Sequence, residues 1–251
     1  MTKLSVQYLG GPTVLLETGG RRFLVDPTFD APGDYPVGAR KLTKTTAAVL
    51  GPDEVGAVDA VLLSHDQHPD NLDAGGRAYL RTAPLTLSTA AAQERLGGTV
   101  RALPNWESVQ VGGVRVTGVP AQHGPDGSEH LVGEVTGFVL AGDAIPTTYV
   151  SGDNASLDVV RRIAERVGPV DVAVLFAGAA QTPLLDYADL TLGSEQAAEA
   201  AKLLGEPVVV PVHFEGWAHF TQGRATLAGP FERAGLGDRL RLLEAGERFE
   251  Y

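Results

Sequence analysis

VLLSHDQHPDN, residues 61–71, runs from a continuous apolar stretch straight into a cluster of imidazole, carboxylate and amide donors. The apolar part reads as a buried strand and the cluster as the loop beyond its C-terminal end, where strand gives way to helix. VTGVPAQHG (116–124) and PVVVPVHFEGWAHF (207–220) repeat the arrangement, and TTYVSGDN (147–154) ends the same way but delivers Asp153. Five of the six histidines lie in the first three of these segments. A first-row metal ion needs ligands that converge from different directions, and side chains at the ends of separate strands supply them.

The first third reads as strands at 4–9, 13–18 and 21–26, separated by Gly10-Gly11-Pro12 and Gly19-Gly20. Residues 27–57 are rich in Pro and Gly with little periodicity, which predicts a long loop with one short helix, of the kind that covers a site. A strand at 58–64, a helix at 72–81, a strand at 84–89 and a helix at 90–96 follow as βα units. Residues 98–151 return to strands, at 114–120, 135–142 and 147–153. Leu157, Val160, Ile163, Ala164 and Val167 then stand at helical spacing, with Asn154 or Ser156 as N-cap and Gly168 as stop. The remainder predicts a strand at 170–178, a helix at 194–204, a strand at 207–214, a helix at 223–235 and a closing strand at 239–244.

A meander followed by βα units, twice over, suits two sheets packed face to face with helices outside. The strand clusters at 4–26 and 114–153 contain no crossover helices, which disfavours a single parallel doubly wound sheet. We therefore expect an α/β fold, a four-layer αββα sandwich, as one domain over 1–251.

Composition narrows the chemistry. Cysteine is absent, so any metal is held by nitrogen and oxygen and no thiol nucleophile exists. Lys+Arg of 20 against Asp+Glu of 31 gives a net charge of −11, a field that repels phosphate backbones and anionic lipid surfaces. No basic stripe or amphipathic membrane segment is evident, and the N-terminal stretch has no continuous apolar region. The expectation is a soluble, cytoplasmic protein with a small-molecule substrate, binding neither nucleic acid nor membrane. A homo-oligomer stays open, since nothing in the sequence marks an interface.

Taken singly, the donors have other uses. Asp153 can cap the next helix, His123 and His213 can be buried polar residues at strand ends, and the 64–73 cluster can be a polar loop. Their joint occurrence at the C-terminal ends of strands favours one pocket. Asp26, also at a strand end, serves either as a partner for a ligand imidazole or as a cap of its own turn. His219 either reaches the pocket rim or packs on Trp217, and His130, in a polar stretch, is expected at the surface.

The chain resembles the metallo-β-lactamase-fold hydrolases, in particular the branch with the ascorbate-6-phosphate lactonases and the phospholipase D acting on N-acyl phosphatidylethanolamine. The resemblance runs from Gly11-Pro12-Thr13 and Val25-Asp26-Pro27 to His213 and the Glu215–Phe220 tail. The family pattern is a His-x-His-x-Asp-His loop, then a distant His, an Asp and a final His. Here His68-Pro69-Asp70-Asn71 matches its second half with Asn71 in place of the last histidine, and His65 precedes with one extra residue between. A second register puts Gln67 at the second histidine. In the first register the resemblance implies that His65, His68 and His123 hold one metal, Asp153 bridges, and Asp70 with His213 holds a second beside Asn71.

An amide oxygen is a weaker zinc ligand than imidazole and suits a harder ion, so zinc or manganese, as one or two ions, is the expected cofactor. The implied reaction is hydrolysis of a small ester-type substrate, a lactone or phosphodiester, by a metal-held hydroxide, with Asp70 and His219 as the catalytic side chains. Two other readings remain: iron-based oxygen chemistry on the same fold, and a metal-binding relative without catalysis.

Overall fold

The computed structural model describes residues 3–251. Strands β1 (Ser5–Gly10), β2 (Thr13–Thr18) and β3 (Arg21–Val25) form an antiparallel meander. A hairpin of β4 (Gly33–Val37) and β5 (Arg40–Lys44) and the short helix α1 (Pro52–Val55) lead to β6 (Ala60–Leu62). Helix α2 (Ala74–Leu80), β7 (Thr86–Ser88), α3 (Ala90–Leu96) and β8 (Val100–Ala102) continue as βα units. A second meander contains β9 (Ser108–Val111), β10 (Val114–Pro120), the short helix α4 (Glu129–Val132), β11 (Thr136–Gly142) and β12 (Ile145–Val150). Helix α5 (Leu157–Val167), β13 (Val172–Phe176), α6 (Ser194–Leu203), β14 (Val208–Val212), α7 (Arg224–Arg233) and β15 (Arg248–Glu250) complete it.

Among the described residues these strands make two large sheets, in the orders β15-β1-β2-β3-β6-β7-β8 and β14-β13-β12-β11-β10-β9. Alternate residues of one strand serve different layers. Val14 and Leu16 point into the core between the sheets while Leu15 faces the outer layer; Phe23 and Val25 divide from Leu24 in the same way. On the second sheet Val172, Val174 and Phe176 join the central core, and Ala173, Leu175 and Ala177 pack outward with α5, α6 and α7. Strands covered on both faces are why their sequences are continuous apolar runs rather than alternating ones. The fold is the four-layer αββα sandwich of the metallo-β-lactamase type. Among the described residues no helix is long and apolar enough to cross a membrane.

Two expectations fail locally. Residues 27–57 are more ordered than a loop, because the β4–β5 hairpin turns on Gly38, at φ +60°, and Ala39. Pro36 inside β4 argues against a central strand, but a free two-stranded ribbon has outer edges where a missing N–H costs nothing. Residues 239–244 form no strand: Leu240 makes one isolated bridge to Val209, and Leu243, buried, with Leu240 and Leu242, half-buried, cover the cores without a ladder. The strand that closes the first sheet is β15, beside β1.

The hairpin is rooted on polar contacts. Thr45 N–H donates to Gly216 O at 2.8 Å and Ala218 N–H to Thr43 O at 2.9 Å, which tie β5 to the segment following β14. At its base the Lys44 ammonium, buried, lies 2.9 Å from Asp73 Oδ2. Asp73 is the N-cap of α2 and accepts from the backbone of Gly76, Phe29 and Asp30 at 2.8, 2.9 and 2.7 Å. One carboxylate thus fixes the start of α2, the turn after β3 and the hairpin root.

Lys44→Met is expected to cost about 3 kcal/mol in denaturant unfolding, the low end for a broken buried pair, because Asp73 keeps three backbone donors. Asp73→Ala should cost more, since those donors lose their acceptor. A loss for Lys44→Met below about 1 kcal/mol, the size of an exposed pair, would remove this ion pair from its anchoring role.

Candidate metal centre

Asp26, the 64–71 loop, His123, Asp153 and His213 follow the C-terminal ends of β3, β6, β10, β12 and β14, all at one end of the sandwich. The two sheets touch there: Thr136 N–H donates to Ser64 O at 3.0 Å, and a Cβ on Gly152 would stand 2.9 Å from that of Ser64. Gly152 also has φ +58°, so only glycine brings Asp153 to this junction without strain.

The donors form two groups of three, each with ligand atoms within 4.8 Å of one another: His65, His68 and His123, then Asp70, Asp153 and His213. In the first, His65 Nε2 lies 2.9 Å and His123 Nε2 3.4 Å from His68 Nδ1. Two nitrogens on one tetrahedral zinc, at the usual bond length, would be about 3.3 Å apart. The tautomers agree with that use. His123 Nδ1–H donates to Leu190 O at 2.9 Å, which leaves Nε2 bare. Ser64 Oγ–H donates to Asp26 Oδ2 at 2.6 Å and so accepts from His65 Nδ1 at 3.0 Å, which bares Nε2 of His65 as well. Lone pairs pointing at each other inside a protein fit a cation between them.

Asp153 stands between the groups, with Oδ1 3.5 Å from His213 Nδ1 and Oδ2 3.7 Å from His123 Nδ1. Asp70 Oδ2 lies 3.3 Å from His213 Nε2 and 3.0 Å from His219 Nε2, while its Oδ1 is buried without a partner. His213 adopts φ +54°, held by its own N–H on Gly11 O at 2.7 Å, with its ring wedged between Phe176 and Phe220 at centroid distances of 5.0 and 4.6 Å. A strained backbone under a buried imidazole is a conformation that the surrounding packing enforces.

The Asn71 amide nitrogen donates to Asp26 Oδ2 at 3.0 Å and to Asp153 Oδ1 at 3.1 Å, and its carbonyl oxygen is buried and unpartnered. Asn71 therefore links two carboxylates as a donor while presenting one free acceptor. The register with His68 and Asp70 is the one whose residues meet; Gln67 packs against Gly133 instead, and Asp66 is held by Arg95 and Arg77. His219 both pairs with Asp70 and lies near Trp217, at 6.5 Å between ring centroids. His130 is exposed, its Nδ1 on Gly127 O at 2.9 Å. Ser64 carries no ligand signal in the sequence, and it is the parallel pairing of Val25 with Leu62 that brings it close to Asp26.

Burial sets the protonation of these groups. It lowers His65, His68 and His213, and pushes His123 down to about 3, so all four imidazoles are neutral at pH 7. It raises Asp26 to about 7 and Asp153 well above the carboxylate range, in each case helped by the charge of Asp70. For Asp70 burial pulls upward, but the hydrogen bonds that the adjacent His219 and His213 rings make to its carboxylate hold it low. Neutral imidazoles beside carboxylates reluctant to ionise are what a cation-binding site looks like without its charge. The donor set fits a divalent ion.

A cavity of about 330 Å³ opens above both groups, floored by His68, Asp70, His123, Asp153 and His219.

Residues 21–214 match the family described as the Beta-lactamase superfamily domain. A UPF0173 metal-dependent hydrolase of Pyrococcus abyssi is 29% identical over 98% of this chain and 99% of its own length. Another, of Rubrobacter xylanophilus, is 31% identical over 83% of this chain and 81% of its own. Among solved structures, the isothiocyanate hydrolase from Delia radicum gut bacteria superposes with a TM-score of 0.85 at 22% identity, covering 98% of both chains. The chain belongs to the beta-lactamase superfamily, and within it to the UPF0173 metal-dependent hydrolases.

In metal-stripped protein, Asp26 keeps a proton between pH 3.8 and about 7 that the unfolded chain has already released. Its contribution is complete below that window and is lost as pH rises through it. His123 has the opposite slope: its contribution is complete above 6.5 and is lost as pH falls toward about 3. Asp26→Asn leaves His123 in place, so the difference in unfolding free energy between wild type and variant reports Asp26 together with the part of the Asp153 shift that its charge supplies. Wild type should lose stability relative to the variant from pH 3.8 to about 7 and run level above. A pH-independent difference would contradict a protonated Asp26.

Proposed function

We propose that this member of the beta-lactamase superfamily is a hydrolase acting on a small ester-type substrate, a lactone or a phosphodiester, with divalent cations at the two neighbouring groups. The observation that carries the reading is the meeting of two triads of donors beneath one cavity, whose floor includes His68, His123, Asp70 and Asp153. His65, His68 and His123 would hold one ion, and Asp70, Asp153 and His213 a second. The all-nitrogen group suits zinc; the carboxylate-rich group, beside the free Asn71 oxygen, suits a harder ion such as manganese. A bound cation supplies Lewis acidity to the carbonyl or phosphoryl oxygen and makes a water acidic near neutral pH.

The chain's own residues do the rest. Leu190 O and the Ser64 hydroxyl fix the ring orientations of His123 and His65. Asp70 orients His219 at the cavity wall through its contact with Nε2, so that His219 stands where a proton can pass to the departing oxygen. The net charge of −11 favours a small substrate over a nucleic acid.

Elemental analysis of purified protein should find zinc or manganese at one or two equivalents. His123→Ala should remove one equivalent and lower hydrolysis more than about 100-fold across a panel of lactones, phosphodiesters and isothiocyanates. Asn71→His should fill the second position more completely. Stoichiometric iron with oxygen consumption, or retained metal with no turnover on any of these classes, would overturn the reading.

A further inference from the structure

The cavity wall is largely apolar, with Leu42, Val132 and Leu190 among its side chains, but its lip carries two cations from the β4–β5 hairpin, Arg40 and Lys41. They differ in how their charge is used. The Lys41 ammonium lies 2.5 Å from Asp34 Oδ2. Among the described residues Arg40 has no carboxylate within ion-pair distance, in a chain that carries 31 acidic residues. Its guanidinium instead donates to the hydroxyl of Thr182, which also lines the cavity and lies 142 positions along the chain. A single neutral acceptor leaves most of the five guanidinium donors free, in a fork suited to a carboxylate or a phosphate.

The hairpin holds this group in place from below. Lys44 and Asp73 pin its root, and Thr43 and Thr45 are bonded to the segment that bears His219. Arg40 is thus carried by a fixed ribbon on the same cavity whose floor holds the metal-ligating candidates. A volume of about 330 Å³ is near the small end of ligand cavities, so a compact molecule would meet floor and lip together.

We propose that Arg40 determines substrate specificity by binding an anionic group of the substrate, a carboxylate or phosphate distinct from the bond that is cleaved, with Thr182 orienting the guanidinium. The substrate is then a small ester-type molecule with an apolar body and one anionic end. The proposal rests on the hydrolase reading for the word substrate, but its test does not require turnover.

Calorimetric titration of the purified, metal-containing protein with phenylacetate, phenylphosphonate and benzyl alcohol compares two anions with a neutral molecule of similar shape. Arg40→Ala should weaken both anions about tenfold to a hundredfold and leave benzyl alcohol unchanged, with Arg40→Lys between, since a point charge replaces a fork. The larger loss of the two names the preferred anion. Unchanged anion affinity in Arg40→Ala would mean that the cation centre alone binds them, and equal loss for benzyl alcohol would mean that Arg40 only shapes the hairpin. Either result overturns the proposal, whereas absence of hydrolysis on every ester would overturn the hydrolase reading and leave this binding result standing.

Discussion

One buried carboxylate organises this end of the molecule. Asp26 is fully buried at the end of β3 and accepts from the backbone and hydroxyl of Ser64, each at 2.6 Å, and from Asn71 at 3.0 Å. The first two bonds join the ends of two parallel strands, the third pins the far side of the 64–71 loop, and Asn71 continues to Asp153 in the other sheet. Removing the acceptor would orphan donors that no water reaches, and such groups cost about 1–3 kcal/mol each. The positions of His65, His68 and Asp70 depend on this node, because the loop carrying them has little regular structure of its own.

Holding it requires distortion. Asp26 has φ +36° and His213 φ +54°, a region that residues other than glycine seldom enter. At about 1–3 kcal/mol each, the two are a large share of a typical net stability of about 5–15 kcal/mol. They persist because the flanking strands are fixed by packing on both faces: Leu24 and Val25 above, Val210 and Val212 below, all fully buried. The four-layer arrangement is therefore the source of the rigidity as well as the frame. A sheet with one wet face would let these strand ends relax toward ordinary backbone angles and carry the side chains apart.

Much of this could be read from residue order, because burial on both faces writes itself as unbroken apolar runs such as VDVAVLF and PVVVPV, and because PVVVPV and three other strands end on a donor. The βα alternation and the helix stops at Gly168 and Gly205 are equally local signals. What escaped had non-local causes. The hairpin at 33–44 is stabilised where its root meets Asp73 and Gly216, so its composition alone, with Pro36 in a strand, reads as loop. The apolar spacing of Leu240, Leu242 and Leu243 reads as a strand, yet these side chains are spent on covering existing cores. By its place in the motif Asn71 reads as a weakened ligand; its nitrogen serves Asp26 and Asp153, a role that exists only when the sheets are docked.

That role bears on the charge balance of the centre. Asp26, Asp70 and Asp153 bring three potential negative charges into one buried region, where the imidazoles are neutral and Asn71 adds none. One divalent ion against three carboxylates leaves one negative charge, so a proton on Asp26 or Asp153 would remain favourable and an approaching anion would be repelled. Two ions leave one positive charge and reverse both tendencies. A histidine in place of Asn71 would alter the donor strength at the second position but not this count, and it would withdraw the amide that shields Asp26 from Asp153. The asparagine thus exchanges ligand strength for a hydrogen bond between two carboxylates. Both effects of a histidine at position 71, a stronger ligand and two carboxylates left without the amide between them, favour a second ion.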